Sequence, residues 1–334
     1  MAKKKKKMTK KKKSFLKRII TLLIVLLILF VAFMLIPTPE PVVMNADGSV
    51  KINNLELPAP IPGEQIIKHT GYTLSYNEEY EQPSWVAYEL TREEVLGDQA
   101  RKDDFRADPA VKTGSATPED YRKSGYDRGH LAPAADFKWS PEAMNDTFFM
   151  SNMSPQAGDF NRGIWADLEA MVRVNAFIND SLYIVTGPVL TDGPYDTIGA
   201  NEVAVPNYYY KVLLDYVGPE VKAIGFILPN EKGKKKMPTY AVSVDKVEEV
   251  TGIDFFPLLP DDIEVVLESE FDTDLWSFSQ TLPDADNLER GEVAYVVDNK
   301  TKIKNLIFEY IGEIKYEVFK YLGLLDIARE FGLV

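Results

Sequence analysis

The chain has 334 residues, no cysteine, two histidines and a formal net charge of −13. Without cysteine there are no disulfides, thiolate metal sites or cysteine nucleophiles, and two histidines cannot build an ordinary zinc cage, so any bound metal is held mostly by oxygen. Once the tails are set aside, about 220 residues remain for a core, which fits one catalytic domain with appendages.

The first eighteen residues carry eleven positive charges, nine of them lysines between Lys3 and Lys13, and residues 19–36 follow without a charge. An eighteen-residue helix spans about 27 Å, close to the hydrocarbon thickness of a bilayer. The pattern predicts a polybasic cytoplasmic tail (1–18) and an uncleaved transmembrane helix (19–36) that makes the bilayer a partner. The run is longer than the apolar region of a signal peptide, and Phe33-Met34-Leu35-Ile36 offers no small-residue cleavage site. Lysines held inside orient the rest outward, as in a single-pass cell-membrane protein with an extracellular catalytic domain, of the kind found in a Gram-positive envelope. Because the first eighteen residues carry +11, the remainder carries −24.

Residues 37–62 begin Pro37-Thr38-Pro39-Glu40-Pro41 and end Pro58-Ala59-Pro60-Ile61-Pro62, the composition of a stiff spacer. A domain over 63–277 is expected next. Strands are predicted between Tyr72 and Thr91 and over Ser181–Val189, Tyr208–Leu214 and Val221–Leu228, and Tyr240–Thr251 reads as a strand turning into a short helix. A helix is expected over Asn161–Asn179, its apolar positions Ile164, Trp165, Leu168, Met171 and Val172 recurring at three and four. Helices and strands mix without a regular βαβ rhythm, which points to α+β with a central antiparallel sheet. Residues 278–334 read as an acidic linker and an amphipathic helix, with Ile303, Ile307, Tyr310, Ile314, Val318, Tyr321 and Leu325 on one face, available to its own domain, to a second copy or to a partner protein.

The chemistry concentrates around Tyr126-Asp127-Arg128-Gly129-His130. A neutral imidazole takes a proton near neutral pH, and His130 has Arg128 two residues away in a segment that Gly129 allows to extend or turn. His69 has no comparable partners and reads as structural. Glu169 follows Asn161 by eight residues, about 80° and 12 Å on a helix, so the two flank one edge of the apolar face and direct chelation of one ion by both is doubtful. Asn161 is a helix cap or an oxygen ligand, Glu169 a solvated side chain or a holder of metal-bound water. Arg173, one turn beyond Glu169, either pairs with that carboxylate or reaches a phosphate. A base, arginines and oxygen ligands together suit phosphodiester hydrolysis assisted by a hard cation. Basic residues gather in the same region (Arg101, Arg106, Arg122, Lys123, Arg128, Lys138, Arg162 and Arg173, with Lys232 and Lys234 to Lys236), so a basic cleft on an acidic body is expected.

The blocks DRGHLAPAADF (127–137), FFMSNMSPQ (148–156) and FNRGIWADLE (160–169), in this order and spacing, closely resemble the DNA/RNA non-specific endonucleases, which include secreted bacterial nucleases and mitochondrial endonuclease G. The likeness runs from about Ile67 to Trp276. It implies the ββα-metal nuclease fold and an endonuclease that cuts DNA and RNA with one Mg²⁺, replaceable by Mn²⁺, leaving 5′-phosphates. It also implies His130 as general base, Asn161 as direct metal ligand and Glu169 acting through water. Arg128, Arg173 and Arg101 fall to the phosphates, and Asn152 matches an asparagine that shapes the substrate site. The rival readings are a non-catalytic nucleic-acid receptor for DNA uptake, which would need no metal, and a zinc or nickel nuclease, which would need a second metal-binding histidine.

Overall fold

The computed structural model describes residues 50–216 and 221–283, together with Val43–Met44. The chain divides into two units, residues 1–52 and 53–334. In the first unit, β1 (Val43–Met44) pairs antiparallel with β2 (Val50–Lys51). The predicted cytoplasmic tail, membrane helix and C-terminal helix lie outside the described residues. Among the described residues no helix is long and apolar enough to cross a membrane.

The second unit begins earlier than position 63. Leu55 is fully buried, and the Ala59 N–H donates to the Asp254 carbonyl at 2.9 Å, so residues 53–62 pack on the domain instead of ending a spacer. Its strands are β3 (Gln65–Lys68), β4 (Thr73–Asn77), β5 (Gln82–Thr91), β6 (Tyr126–His130), β7 (Met153–Ala157), β8 (Ser181–Pro188), β9 (Thr197–Ile198), β10 (Val203–Ala204), β11 (Tyr208–Asp215), β12 (Lys222–Pro229) and β13 (Ala241–Val242). Seven of them form one antiparallel sheet in the order β13-β12-β11-β8-β5-β4-β3, and β6 pairs with β7 outside it. This is a mixed fold with a central antiparallel sheet and flanking helices.

Both faces of the sheet are covered, which is why β8 and β11 read as nearly unbroken apolar runs instead of alternating. Antiparallel register puts Tyr88, Ile184, Leu213 and Ile224 in one row across four strands. On that face they pack with Leu168, Met171 and Val172 of the Ala166–Ile178 helix. The β6–β7 pair sits on the same face, where the Ser154 hydroxyl meets the Tyr209 hydroxyl at 2.6 Å. The neighbouring row, Ala87, Val185, Val212 and Gly225, points the other way. There the Val244–Thr251 helix lies so close that a Cβ on Gly225 would stand 2.5 Å from Val247 Cγ2.

The Asn161–Asn179 helix starts later than its periodicity predicts. Gly163 adopts φ −115° and ψ −115°, so Phe160–Trp165 is a wide π-type turn and the α-helix runs Ala166–Ile178. A constant 100° per residue therefore does not connect Asn161 to Glu169.

Candidate active site

His130 ends β6, and its ring is enclosed edge-on by Phe105 at 5.5 Å and Phe148 at 5.2 Å. The residue is 8 % exposed, and its Nε2 is buried without a hydrogen-bond partner. Burial, reinforced by the positive charges of Arg101 and Arg128 and opposed by Asp103, pushes the imidazole pKa down to about 3. The ring is therefore neutral throughout the physiological range. Gly129 is required by close approach and not by a turn: a Cβ there would stand 2.2 Å from the buried Gln156 side chain.

Asp127, on the same strand, ties the π-type turn to β6. Its carboxylate accepts from Asn161 Nδ2 at 3.1 Å and from the Arg162 guanidinium at 2.8 Å through each oxygen. The amide of Asn161 is thereby oriented with Oδ1 uncommitted. Asn161, Asp127, Arg128, Tyr126 and Phe105 line a cavity of about 400 Å³. Arg128 is exposed, rests on the Phe105 ring at 4.1 Å and makes no ion pair with any described residue. Other members of the expected basic cleft are committed: Arg101 to Asp103, Arg106 to Asp104 and Asp146, Arg122 to Glu119, Arg162 to Asp127.

A second set of side chains, of mixed charge and partly or fully buried, gathers at Asp136. Arg173 donates to Asp136 at 2.8 Å, so its partner is Asp136 and not Glu169, while the Tyr88 hydroxyl donates to the other oxygen of Asp136 at 2.8 Å. Lys211 is fully buried, with Nζ 4.9 Å from the centre of the Trp165 ring and no hydrogen bond. Burial lowers its pKa, and Glu169 and Asp136 oppose that shift. Burial likewise raises the carboxyl of Glu169, to about 7, with Lys211 pulling it down and Asp136 pushing it up. The charge of Arg101 reaches both His130 and Glu169, which places these three side chains in one electrostatic neighbourhood.

Asn152, expected to touch substrate, is fully buried and spent on the main chain. Its Oδ1 accepts from Ala132 N at 2.9 Å, and its Nδ2 donates to the carbonyls of Ala132 and Thr147, each at 2.9 Å. It latches the segment that follows His130, and so shapes the site through the main chain. His69 bonds Asp108 at 2.8 Å and stacks on Phe149, a structural role.

Lys211, Asp136, Phe105 and Gln156 were not identified from the sequence. One signal was present for Lys211: a single lysine inside the apolar run Tyr208–Leu214 has to be buried with a partner. Asp136 stands inside the DRGHLAPAADF block, but only the fold reveals its pairing with Arg173.

Asn161 and Glu169 offer donors of the kind a hard divalent cation prefers, one amide oxygen and one carboxylate. The sequence profile of the family described as DNA/RNA non-specific endonuclease matches residues 52–262. Mitochondrial nuclease EXOG of Mus musculus is 36% identical over 217 residues, 60% of this chain and 59% of that protein. Mitochondrial endonuclease G of Homo sapiens is 36% identical over 212 residues, covering 59% of this chain and 71% of its own length. A nuclease of Nostoc sp. is 34% identical over 223 residues, 63% of this chain and 80% of its own. The match thus spans about three fifths of the EXOG protein. Among solved structures, an EndoG/EndoGI complex superposes with a TM-score of 0.56 at 33% identity, covering 60% of this chain and 90% of the other.

Proposed function

The chain belongs to the DNA/RNA non-specific endonuclease family, and from that premise we propose that it hydrolyses phosphodiester bonds within DNA and RNA, leaving 5′-phosphates, with His130 as base. The observation that carries this reading is a neutral His130 on the same strand as Arg128, which makes no ion pair with any described residue and shares its cavity with the oriented amide of Asn161. A ring nitrogen of the neutral imidazole takes the proton of a water attacking phosphorus, a contribution of roughly 10²–10⁴-fold. Arg128, on its Phe105 platform, receives the charge that develops on the phosphate oxygens. Asn161 Oδ1 would hold a Mg²⁺ or Mn²⁺ and Glu169 would act on it through water; when bound, the ion would supply electrostatic stabilisation of the transition state. Arg173 positions Asp136 and the buried charges behind Glu169, and the half-exposed Arg101 contacts substrate phosphate. Because all these contacts are to phosphates, sequence preference is weak.

We further propose that residues 19–36 anchor the protein in the cell membrane with the nuclease outside, on the strength of the charge-free run behind eleven basic residues. Relaxed plasmid, single-stranded DNA and RNA are the test substrates. Cleavage of all three that stops with EDTA and returns with Mg²⁺ supports the reading, whereas binding without cleavage under any metal identifies a receptor. Protease treatment of intact cells tests the orientation, since an outward domain is digested.

A further inference from the structure

On the face of the sheet away from His130, two consecutive helices bring carboxylates together. Asp245 and Glu248 are three residues apart on the Val244–Thr251 helix and share one side of it. Ser243 caps that helix through the Lys246 N–H, and Gly252, at φ +70°, closes it. Glu268 comes from the following Asp261–Ser269 helix. One carboxylate oxygen from each of the three lies within 4.8 Å of the others. Glu248 is held in place because its Oε1 accepts from the Phe255 N–H at 2.8 Å.

Glu268 provides an independent observation. It is 5 % exposed, and its Oε1 is sealed from solvent with no hydrogen-bond partner. The charges that act on it most strongly are acids: Glu248, Glu264, Asp245 and Asp254. A buried carboxylate among acids either keeps a proton or meets a cation.

We propose that Asp245, Glu248 and Glu268 form a second divalent-cation site, of calcium type, that clamps these two helices together. All three donors are hard carboxylate oxygens, with no nitrogen or sulfur among them. Oxygens on opposite sides of a Ca²⁺ ion stand about 5 Å apart, so three oxygens within 4.8 Å of one another fit one coordination shell. Asp245 is exposed, which leaves room for water to complete the shell. Glu268 lies beyond residue 262, where the family match ends, and the cluster is on the face of the sheet away from His130, so the proposal does not rest on the nuclease reading. With three protein carboxylates and open coordination positions, affinity falls in the weak range of roughly 10⁻⁴–10⁻³ M. Burial, with the neighbouring acids adding to it, pushes the Glu268 carboxyl up to about 9, so binding near neutral pH displaces a proton.

The test uses the full chain carrying Asn161→Ala, which removes the proposed catalytic ion, stripped of metal and titrated with CaCl₂ alone. Calorimetry in two buffers of different ionisation enthalpy is expected to show one site and a released proton, and at ten times Kd the Tm rises by roughly 3–6 °C. Glu268→Gln and, separately, Asp245→Asn lose both signals. Glu268→Gln in the otherwise unaltered chain keeps its Mg²⁺-dependent cleavage rate. Should Glu268→Gln fail to fold, Asp245→Asn, at an exposed position, still decides. No calcium-linked stabilisation in the parent, or its persistence in the variants, overturns the proposal and leaves Glu268 as a buried neutral acid.

Discussion

On the face of the sheet that carries His130, Lys211 and Arg173 stand with Glu169 and Asp136, two cations for two carboxylates, whereas on the opposite face Asp245, Glu248 and Glu268 meet with further acids as their strongest charged neighbours. In the first case the fold supplies its own countercharges. In the second the balance has to come from solution, as a proton or an ion. Buried charge is thus largely balanced within the fold on one side of the molecule and left to solution on the other.

The most severe way to break the first side is His130→Ala, which is expected to lower plasmid nicking by roughly 10²–10⁴-fold with an unchanged circular dichroism spectrum. A variant that still cuts at the parental rate removes the assigned base. Lys211→Met acts on stability. It leaves Glu169 and Asp136 short of one cation and should lower stability in urea unfolding. Glu268→Gln, on the other face, should stabilise the metal-free protein; equal destabilisation by both substitutions would erase the contrast between the faces.

The pH dependence of cleavage sharpens it further. Because the His130 pKa is pushed down, its basic form persists until pH falls through about 3. The Glu169 carboxyl is pushed up to about 7, so its charged form is lost as pH falls below that value. At limiting Mg²⁺ the rate is expected to drop up to tenfold per pH unit below an inflection near neutrality, and added Mg²⁺ should move the inflection to lower pH, as proton–metal competition requires. An inflection that ignores Mg²⁺ assigns it to another group. The smallest effect is on stability. Since Glu268 is raised above its unfolded value, its neutral form favours folding at low pH, and that contribution is lost as pH climbs from the ordinary carboxyl range to about 9. Metal-free Tm should therefore decline across this interval, and Glu268→Gln should flatten the decline.

Much of the architecture was legible because local pattern and tertiary burial agree: the runs Ser181–Val189, Tyr208–Leu214 and Val221–Leu228 became β8, β11 and β12. Boundaries failed where one residue or one distant contact decides. Gly163 separates Asn161 from the helix that carries Glu169, and the Asp254 carbonyl draws Ala59 onto the domain. In the candidate site the sequence placed His130, Arg128 and Asn161 in one neighbourhood, through blocks continuous along the chain. It did not place Arg173 on Asp136 or Lys211 beside Glu169, because those pairs join β11, a helix and a loop that no periodicity connects. Asn152 shows the same limit, since an amide that binds substrate and one that latches main chain have the same side chain.

The sheet ends in β13, two residues long, and β3, four residues long, whose Gln65 side chain is bonded to the loop at Ala110 and Lys112. Such short margins, one of them pinned by a neighbouring loop, offer little ladder for a strand from another molecule to extend. Many copies crowded together would thus resist the edge-to-edge aggregation to which a broad, strongly apolar sheet is otherwise prone.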